Sequence, residues 1–370
     1  MPTGSHEHRF NDDLLANDGD QERAQKLYPD VAHVLDHPEL RAMFKTYNDA
    51  ADAAKRRSRT FGYTAIGLAT AALLTAALTP LFHDAPLGVL RVVGFLASVA
   101  GIAGIAFALN GVLFQKAKAE WLDNRLMTER LRQFHFQTLA RRWPDILASL
   151  SDDKTRAAYA QKRDTWFTQF RARFEGKLGA ELHNALSEEG NGQGWLHPEP
   201  AGAPPPEAWA KLQPLFDAYR ELRIMHQLGY ASFKLHDAGG IGLSTAPAQA
   251  ALFSNTALIC IAVVVGVHLV LAVGMLFGYT ALIKADWLHV MAIVFAIVVL
   301  AVRALEEGLQ PKREIERYRQ YASAIRAMRD HFDAATTPDA KLVVMHNMER
   351  LVVDEMRNFL RTNDEAKFVM

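Results

Sequence analysis

The sequence predicts an all-α, polytopic membrane protein, with four transmembrane helices in two hairpins and helical bundles or hairpins in the cytoplasm. Three observations predict this class. The chain of 370 residues is 50% hydrophobic, and its apolar residues are concentrated in four blocks. The blocks approach the roughly 20 residues that a helix needs to cross a bilayer. They also come in two close pairs, each joined by a short loop.

The four predicted spans cover residues 61–82, 92–114, 251–276 and 287–302. The first two contain no charged residue, and the third contains a single histidine. The fourth is short for a span, so we expect it to extend to Leu305, with Arg303 reaching the membrane interface. The alternative is a large soluble core, but buried helices of soluble proteins are seldom this long without a charge.

The distribution of Lys and Arg predicts the orientation. Basic residues precede the first span and follow the second and fourth, whereas the short loops 80–91 and 278–286 contain one basic residue each. Because basic residues favour the cytoplasmic side, we expect both short loops to face outward. Both termini and the long central segment would then be cytoplasmic, and the protein a multi-pass protein of the cell inner (plasma) membrane.

The chain divides into seven segments on hydropathy and on its Pro and Gly residues. They are an N-terminal cytoplasmic helical region (1–59), the first transmembrane hairpin (60–114), cytoplasmic helices (115–188), a Gly/Pro-rich linker (189–206), a pre-membrane helix with a Gly-rich connection (207–250), the second transmembrane hairpin (251–305) and a C-terminal cytoplasmic helical hairpin (306–370). Within them we predict helices over 27–59, 115–142, 153–186 and 207–235. Breaks are expected at His37–Pro38 and Trp143–Pro144, and a turn at 336–339 with Thr337 as N-cap.

Composition and motifs argue against several functions. Lys plus Arg and Asp plus Glu are both 41, so a neutral chain offers no global attraction to nucleic acid. The single cysteine, Cys260, excludes an intramolecular disulfide framework and lies inside a span, where we expect it to be inert. The sequence contains no phosphate-binding loop, nucleophile elbow or zinc-binding His pair. We therefore predict no catalytic, cofactor-binding or metal-binding residue, and no enzyme activity.

Small residues recur at four-residue spacing in the first two spans, a pattern that lets helix backbones approach closely. Packing within one hairpin and packing between subunits both require such rows. The candidate residues are Gly67, Ala71, Thr75 and Thr79 in the first span and Ala97, Gly101, Gly104 and Ala108 in the second.

Two polar side chains in the spans are further candidates. His268 is the strongly polar ionisable group well inside a span, and such a residue is by default a hypothesis of function. It could serve in gating or proton movement, or simply bond to a neighbouring carbonyl. Asn110 could form a hydrogen bond between helices or line a pore. A pore, if there is one, would be assembled from several subunits.

Two sets of cytoplasmic residues share helix faces. Trp121, Arg125 and Glu129 lie four residues apart and so occupy one face. A heptad-like apolar seam runs along the C-terminal part; its members are Tyr318, Tyr321, Ile325, Met328 and Phe332. The seam could be covered within its own helical hairpin, or it could pack between subunits, and both interpretations remain open.

The two halves of the chain share one layout, and aligning Leu131 with Ile325 pairs Arg125 with Arg319. The succession of a helix, a basic run, two spans and an exiting helix with Trp121, Arg125 and Glu129 resembles the prokaryotic SLATT-type membrane modules. The resemblance covers residues 47–139 and, more weakly, 225–360. It implies a homo-oligomeric effector that disrupts or permeates the membrane when a partner or ligand triggers it, and so arrests an infected cell. The alternative is a membrane anchor whose cytoplasmic helices recruit a soluble protein.

Overall fold

The computed structural model describes residues 13, 15, 19–82, 85–109, 116–187, 193–198, 202–236, 245–283 and 285–366. Over these ranges the chain forms helices joined by turns and irregular segments, and no strand occurs among them. Four helices are long and apolar enough to cross a membrane. The structure thus confirms the predicted fold class of an all-α membrane protein with four transmembrane helices.

The α-helices follow one another along the chain with short connections. They are α1 (Asp20–Leu27), α2 (Ala32–Leu35), α3 (Pro38–Leu78), α4 (Leu87–Ala108), α5 (Lys116–Arg141), α6 (Trp143–Ser149), α7 (Asp153–Phe174), α8 (Leu178–Leu186), α9 (Ala208–Tyr219), α10 (His226–Leu235), α11 (Ala246–Leu276), α12 (Thr280–Ile283), α13 (Asp286–Leu309), α14 (Pro311–Ala334) and α15 (Pro338–Glu365). A π-helical segment, Arg220–Met225, joins α9 to α10.

The chain folds into two compact units, each assembled from segments that are far apart in sequence. Unit 1 comprises Met1–Asp52, Trp121–His236 and Ile315–Thr362, and unit 2 comprises Ala53–Glu120, Asp237–Glu314 and Asn363–Met370. Unit 2 therefore contains both predicted transmembrane hairpins, whereas unit 1 is built from the segments between and around them.

Within unit 2, α3 and α4 form the first hairpin through a close backbone approach at Gly104. A Cβ atom on this glycine would lie 3.1 Å from the Ala69 nitrogen and 3.4 Å from the Ala65 oxygen. At Gly101 a Cβ would lie 3.6 Å from the Cβ of Ala72, which is ordinary contact. The helices can approach this closely because the second span presents glycine at the contact.

The second hairpin of unit 2 consists of α11 and α13, which pack through two apolar clusters. One cluster includes Phe253, Ala257 and Val302, and residues of α3 pack against it. The other joins Val267 and its neighbours to the start of α13. The chain reverses after α11 at Gly278, whose φ of 71° lies in the left-handed region that glycine adopts without strain.

The outer faces of these four helices are apolar and uncovered. Leu73, Ile102, Leu269 and Leu300, one from each helix, are 52%, 69%, 64% and 66% exposed. An apolar surface this extensive does not stay exposed to water in soluble proteins. Lipid is the environment that such helices require, because every backbone group is bonded within its own helix.

Unit 1 has an aromatic-rich core centred on α5. Every residue from 130 to 141 is buried, so this helix is surrounded on all sides. Phe134 lies at the middle of a ring cluster with Phe167 and Phe170, at centroid distances of 5.5 and 4.8 Å. Such aromatic contacts add to the stabilisation that burial alone gives.

Most predicted helix boundaries agree with the structure, with three differences. The predicted helix 153–186 is two helices, because Gly176 adopts a φ of 70° between α7 and α8. The predicted helix 207–235 contains the π-helical segment. The fourth span is not short, since α13 has 24 residues, and Arg303 forms an ion pair with Glu306. The breaks before Pro38 and at Trp143 are confirmed, as is the cap at Thr337, whose Oγ1 accepts from the Ala340 nitrogen at 3.2 Å.

Candidate functional site

Unit 1 contains a cleft lined by charged and aromatic side chains, with about 640 Å³ of empty space that is partly open to solvent. Helices α5, α10, α14 and α15 contribute its walls. This volume lies within the range of ligand-binding pockets in proteins. The cleft is therefore the site in the described part of the chain that we consider for function.

Helix α5 contributes a chain of ion pairs to one wall. Arg125 Nη2 lies 2.6 Å from Glu129 Oε1, and Arg132 Nη1 donates to the same oxygen at 2.6 Å. Arg132 also donates through Nε to Asp13 Oδ2 at 2.6 Å. The spacing of 125, 129 and 132 places all three side chains on one helix face, so the helix itself arranges the network.

The members of this network are ionised at neutral pH. Burial alone would raise the pKa of Glu129, but the guanidinium groups of Arg125 and Arg132 outweigh it and lower that pKa to about 2. Burial also opposes ionisation of Asp13, and Arg132 and then His226 nevertheless keep its pKa below the usual value. Two carboxylates thus balance two guanidinium groups.

The other walls combine a second ion pair with tyrosine hydroxyls. Arg317 is paired with Glu355, and its guanidinium lies over the rings of Tyr318 and Phe359, 4.4 and 5.1 Å from their centroids. The Tyr321 hydroxyl donates to Gln227 Oε1 at 3.1 Å. The cleft therefore presents arginines, carboxylates, hydroxyls and aromatic rings within one concave surface.

A fully buried ion pair lies beside the cleft. Arg223 donates through Nε and Nη2 to the two oxygens of Glu349, at 2.9 and 2.8 Å, and both side chains have no solvent exposure. The Tyr219 hydroxyl donates to the same carboxylate at 2.7 Å, and the Arg223 guanidinium lies 4.5 Å from the ring centroid of Phe136. Arg223 belongs to the π-helical segment, a feature often found at functional positions.

The structure brings together several cytoplasmic residues that the sequence singled out. Arg125, Glu129, Tyr318 and Tyr321 all line the cleft. Trp121 is buried against Phe359, with ring centroids 5.5 Å apart. The remaining seam residues are also inside unit 1: Ile325 and Phe332 are buried in its core, and Met328 packs against that core.

The candidate residues in the spans divide into two groups. Gly104 is buried and Ala97, Gly101 and Ala108 are partly buried. By contrast, Gly67, Ala71 and Thr79 are exposed and Thr75 is partly exposed, so this row lies on the outside of α3. His268 is exposed, and its Nδ1 lies 2.8 Å from the Val264 oxygen of its own helix. Asn110 lies outside the described residues.

Sequence reasoning missed part of the site. His226 was interpreted as a solvated side chain, yet it is half-buried and lines the cleft with Tyr230. The pair Arg223 and Glu349 was also missed. Its signal is a single charge within each apolar helix stripe, as Glu349 falls four residues after the buried Met345.

No three His, Cys, Asp or Glu side chains within the described ranges are grouped as metal ligands. No protein-family model matches the chain, and neither a curated protein nor a solved structure is significantly similar to it.

Proposed function

We propose that the protein is a membrane effector that assembles with copies of itself through its transmembrane helices and permeabilises the inner membrane. Its termini and unit 1 lie in the cytoplasm, where a partner or a ligand acts as the trigger. The resemblance to SLATT-type modules suggests a role in antiphage or other conflict defence. The observation that carries the proposal is the row of small residues on the outer face of α3.

This row is available for contact with another helix. A Cβ on Gly67 would meet nothing within 4 Å. The hydroxyls of Thr75 and Thr79 donate to the carbonyls of Ala71 and Thr75, at 2.8 and 2.9 Å. The face is thus small, weakly polar and internally satisfied, which suits close packing between helices in lipid.

The second span uses its own small residues differently. Gly104 contacts α3 within the hairpin, as described above, so its row is already covered. The α3 row is left over after the hairpin has formed. Assembly of several copies would cover it, and the weakly polar Thr side chains would then lie near the centre of the assembly.

Helix continuity supports a role of unit 1 as trigger. Helix α3 contains residues of both units, because the division falls after Asp52 in the middle of the helix. The same holds for α5 and α14. An uninterrupted helix transmits a change at one end as a rigid element, so a rearrangement in unit 1 reaches the spans.

Proteoliposomes loaded with a self-quenching dye test this proposal. We expect dye release that rises more steeply than linearly with the protein-to-lipid ratio, because several copies form one lesion. Gly67→Leu should abolish release, whereas the matched control Gly94→Leu, at another exposed glycine with nothing within 4 Å, should not. Absence of release by inserted wild-type protein at every ratio would contradict the proposal, and equal release by both variants would remove the α3 row from it.

The alternative is an anchor or scaffold. It is favoured by one observation: unit 1 has its own core and cleft, built from residues outside the spans. Replacing the four spans by those of an unrelated four-span protein separates the two proposals. A scaffold would keep its soluble partner in a pull-down and its cellular effect, whereas an effector would lose its effect.

A further inference from the structure

We propose that the cleft in unit 1 binds a small organic anion with an apolar or aromatic body, and that the Arg125 guanidinium holds the anionic group. This binding site stands independently of membrane permeabilisation, so either proposal can fail without the other. The argument rests on how the charges of the cleft are shared among its residues.

Arg125 is the cation of the cleft that can engage a ligand at the lowest cost. Its side chain is 26% exposed, compared with 6% for Arg132 and 8% for Arg317. Its carboxylate partner Glu129 is also bonded to Arg132 at 2.6 Å. If Arg125 turns towards a ligand, Glu129 therefore keeps a buried cation beside it, and no uncompensated charge is created.

The geometry favours an anion over a cation. A guanidinium has five N–H donors, and Arg125 contacts Glu129 through one terminal nitrogen, so it can accept a second anionic partner. The carboxylates Glu129 and Glu355 are only 13% and 14% exposed and are already bonded to arginines. A cationic ligand would have to displace those arginines.

The rest of the cleft suits an apolar or aromatic body. Val352 and Met356 are buried and Phe359 is half-buried, and together they give the lining an apolar part. The hydroxyls of Tyr318 and Tyr321 line the same space and can bond to polar atoms of a ligand. The alternative is that these ion pairs only stabilise unit 1, in which case no small anion binds.

Isothermal titration calorimetry on the full chain in an uncharged detergent tests the proposal. The probes are phenyl phosphate, inorganic phosphate and benzylammonium, each corrected by titration into detergent alone. We expect phenyl phosphate to bind, inorganic phosphate to bind more weakly because it leaves the apolar wall uncovered, and benzylammonium not to bind.

Two variants decide the role of Arg125. Arg125→Gln should weaken phenyl phosphate binding about tenfold or more, the loss expected for a hydrogen bond to a charged group. The matched control Arg156→Gln removes an exposed arginine of unit 1 that does not line the cleft, and it should leave binding unchanged. The proposal is overturned if phenyl phosphate fails to bind the wild type, if Arg125→Gln binds as tightly, or if benzylammonium or inorganic phosphate binds as tightly as phenyl phosphate.

Discussion

The buried pair of Arg223 and Glu349 makes a quantitative prediction about the stability of unit 1. Glu349→Leu removes the carboxylate and leaves a guanidinium with no solvent exposure and no anionic partner. Two hydrogen bonds from Arg223 and one from Tyr219 lose their acceptor at once. Breaking one side of a buried ion pair typically costs about 3 to 5 kcal/mol, and we expect a loss of that size.

Removing both charges should cost less than removing one. In the double variant Arg223→Met with Glu349→Leu, no charge is left buried, and apolar replacements of a buried pair are often close to neutral. Tyr219 also keeps an acceptor, because the Met345 oxygen lies 3.2 Å from its hydroxyl. The two effects should therefore be strongly non-additive, as for residues in direct contact.

Urea unfolding followed by tryptophan fluorescence in detergent measures these effects. The signal reports mainly on unit 1, because five of the six tryptophans belong to it, namely Trp121, Trp143, Trp166, Trp195 and Trp209. Lys162→Met is the control, since Lys162 pairs with Asp145 at 2.6 Å but is 59% exposed, and it should cost about 0 to 1 kcal/mol. If Glu349→Leu costs no more than this control, the buried pair is not formed as described.

Three further predictions concern pH, the first hairpin and assembly. Burial lowers the pKa of His37 to about 3 and of His135 to about 4, from 6.5 when unfolded; the unfolded chain then binds more protons, so unit 1 should lose stability as pH falls from about 6.5 to 4, and His135→Gln should flatten the urea midpoint's pH dependence. With Cys260→Ala, cysteines at Ala72 and Gly101 should form a disulfide on mild oxidation, because their Cβ separation of 3.6 Å suits one, whereas Ala72 with Gly94 should not; unprotected thiols in the first pair would contradict the hairpin. A single cysteine at Gly67 should cross-link two copies more readily than one at Gly94, and equal cross-linking would contradict assembly through the α3 row.

The membrane-spanning helices were predictable from the sequence because their signal is local. A bilayer requires a long apolar segment, and the composition of each span carries that information by itself. The breaks before Pro38 and at the Thr337–Pro338 turn were predictable for the same reason, since proline and a capping threonine act on adjacent backbone. The break at Gly176 was not, because a glycine within a helical pattern is often tolerated.

The cleft was only partly predictable because it joins distant segments. The face containing Arg125 and Glu129 was found from helical spacing, as was the seam containing Tyr318 and Tyr321. That these two sets meet depends on the assembly of unit 1 from three separate stretches of chain. The pairing of Arg223 with Glu349, 126 residues apart, has no local signal that specifies the partner.

The central claim is that lipid covers the four apolar helices, and thiol labelling tests it most directly. In a Cys260→Ala background, single cysteines replace Leu73, Ile102, Leu269 and Leu300, which the rest of the protein leaves 52% to 69% exposed. The reference is Asp153→Cys in unit 1, where the native side chain is 97% exposed. In opened proteoliposomes a polyethylene glycol maleimide should modify the reference rapidly and the four span positions only after detergent is added. Modification of the span positions as fast as the reference, without detergent, would contradict the claim.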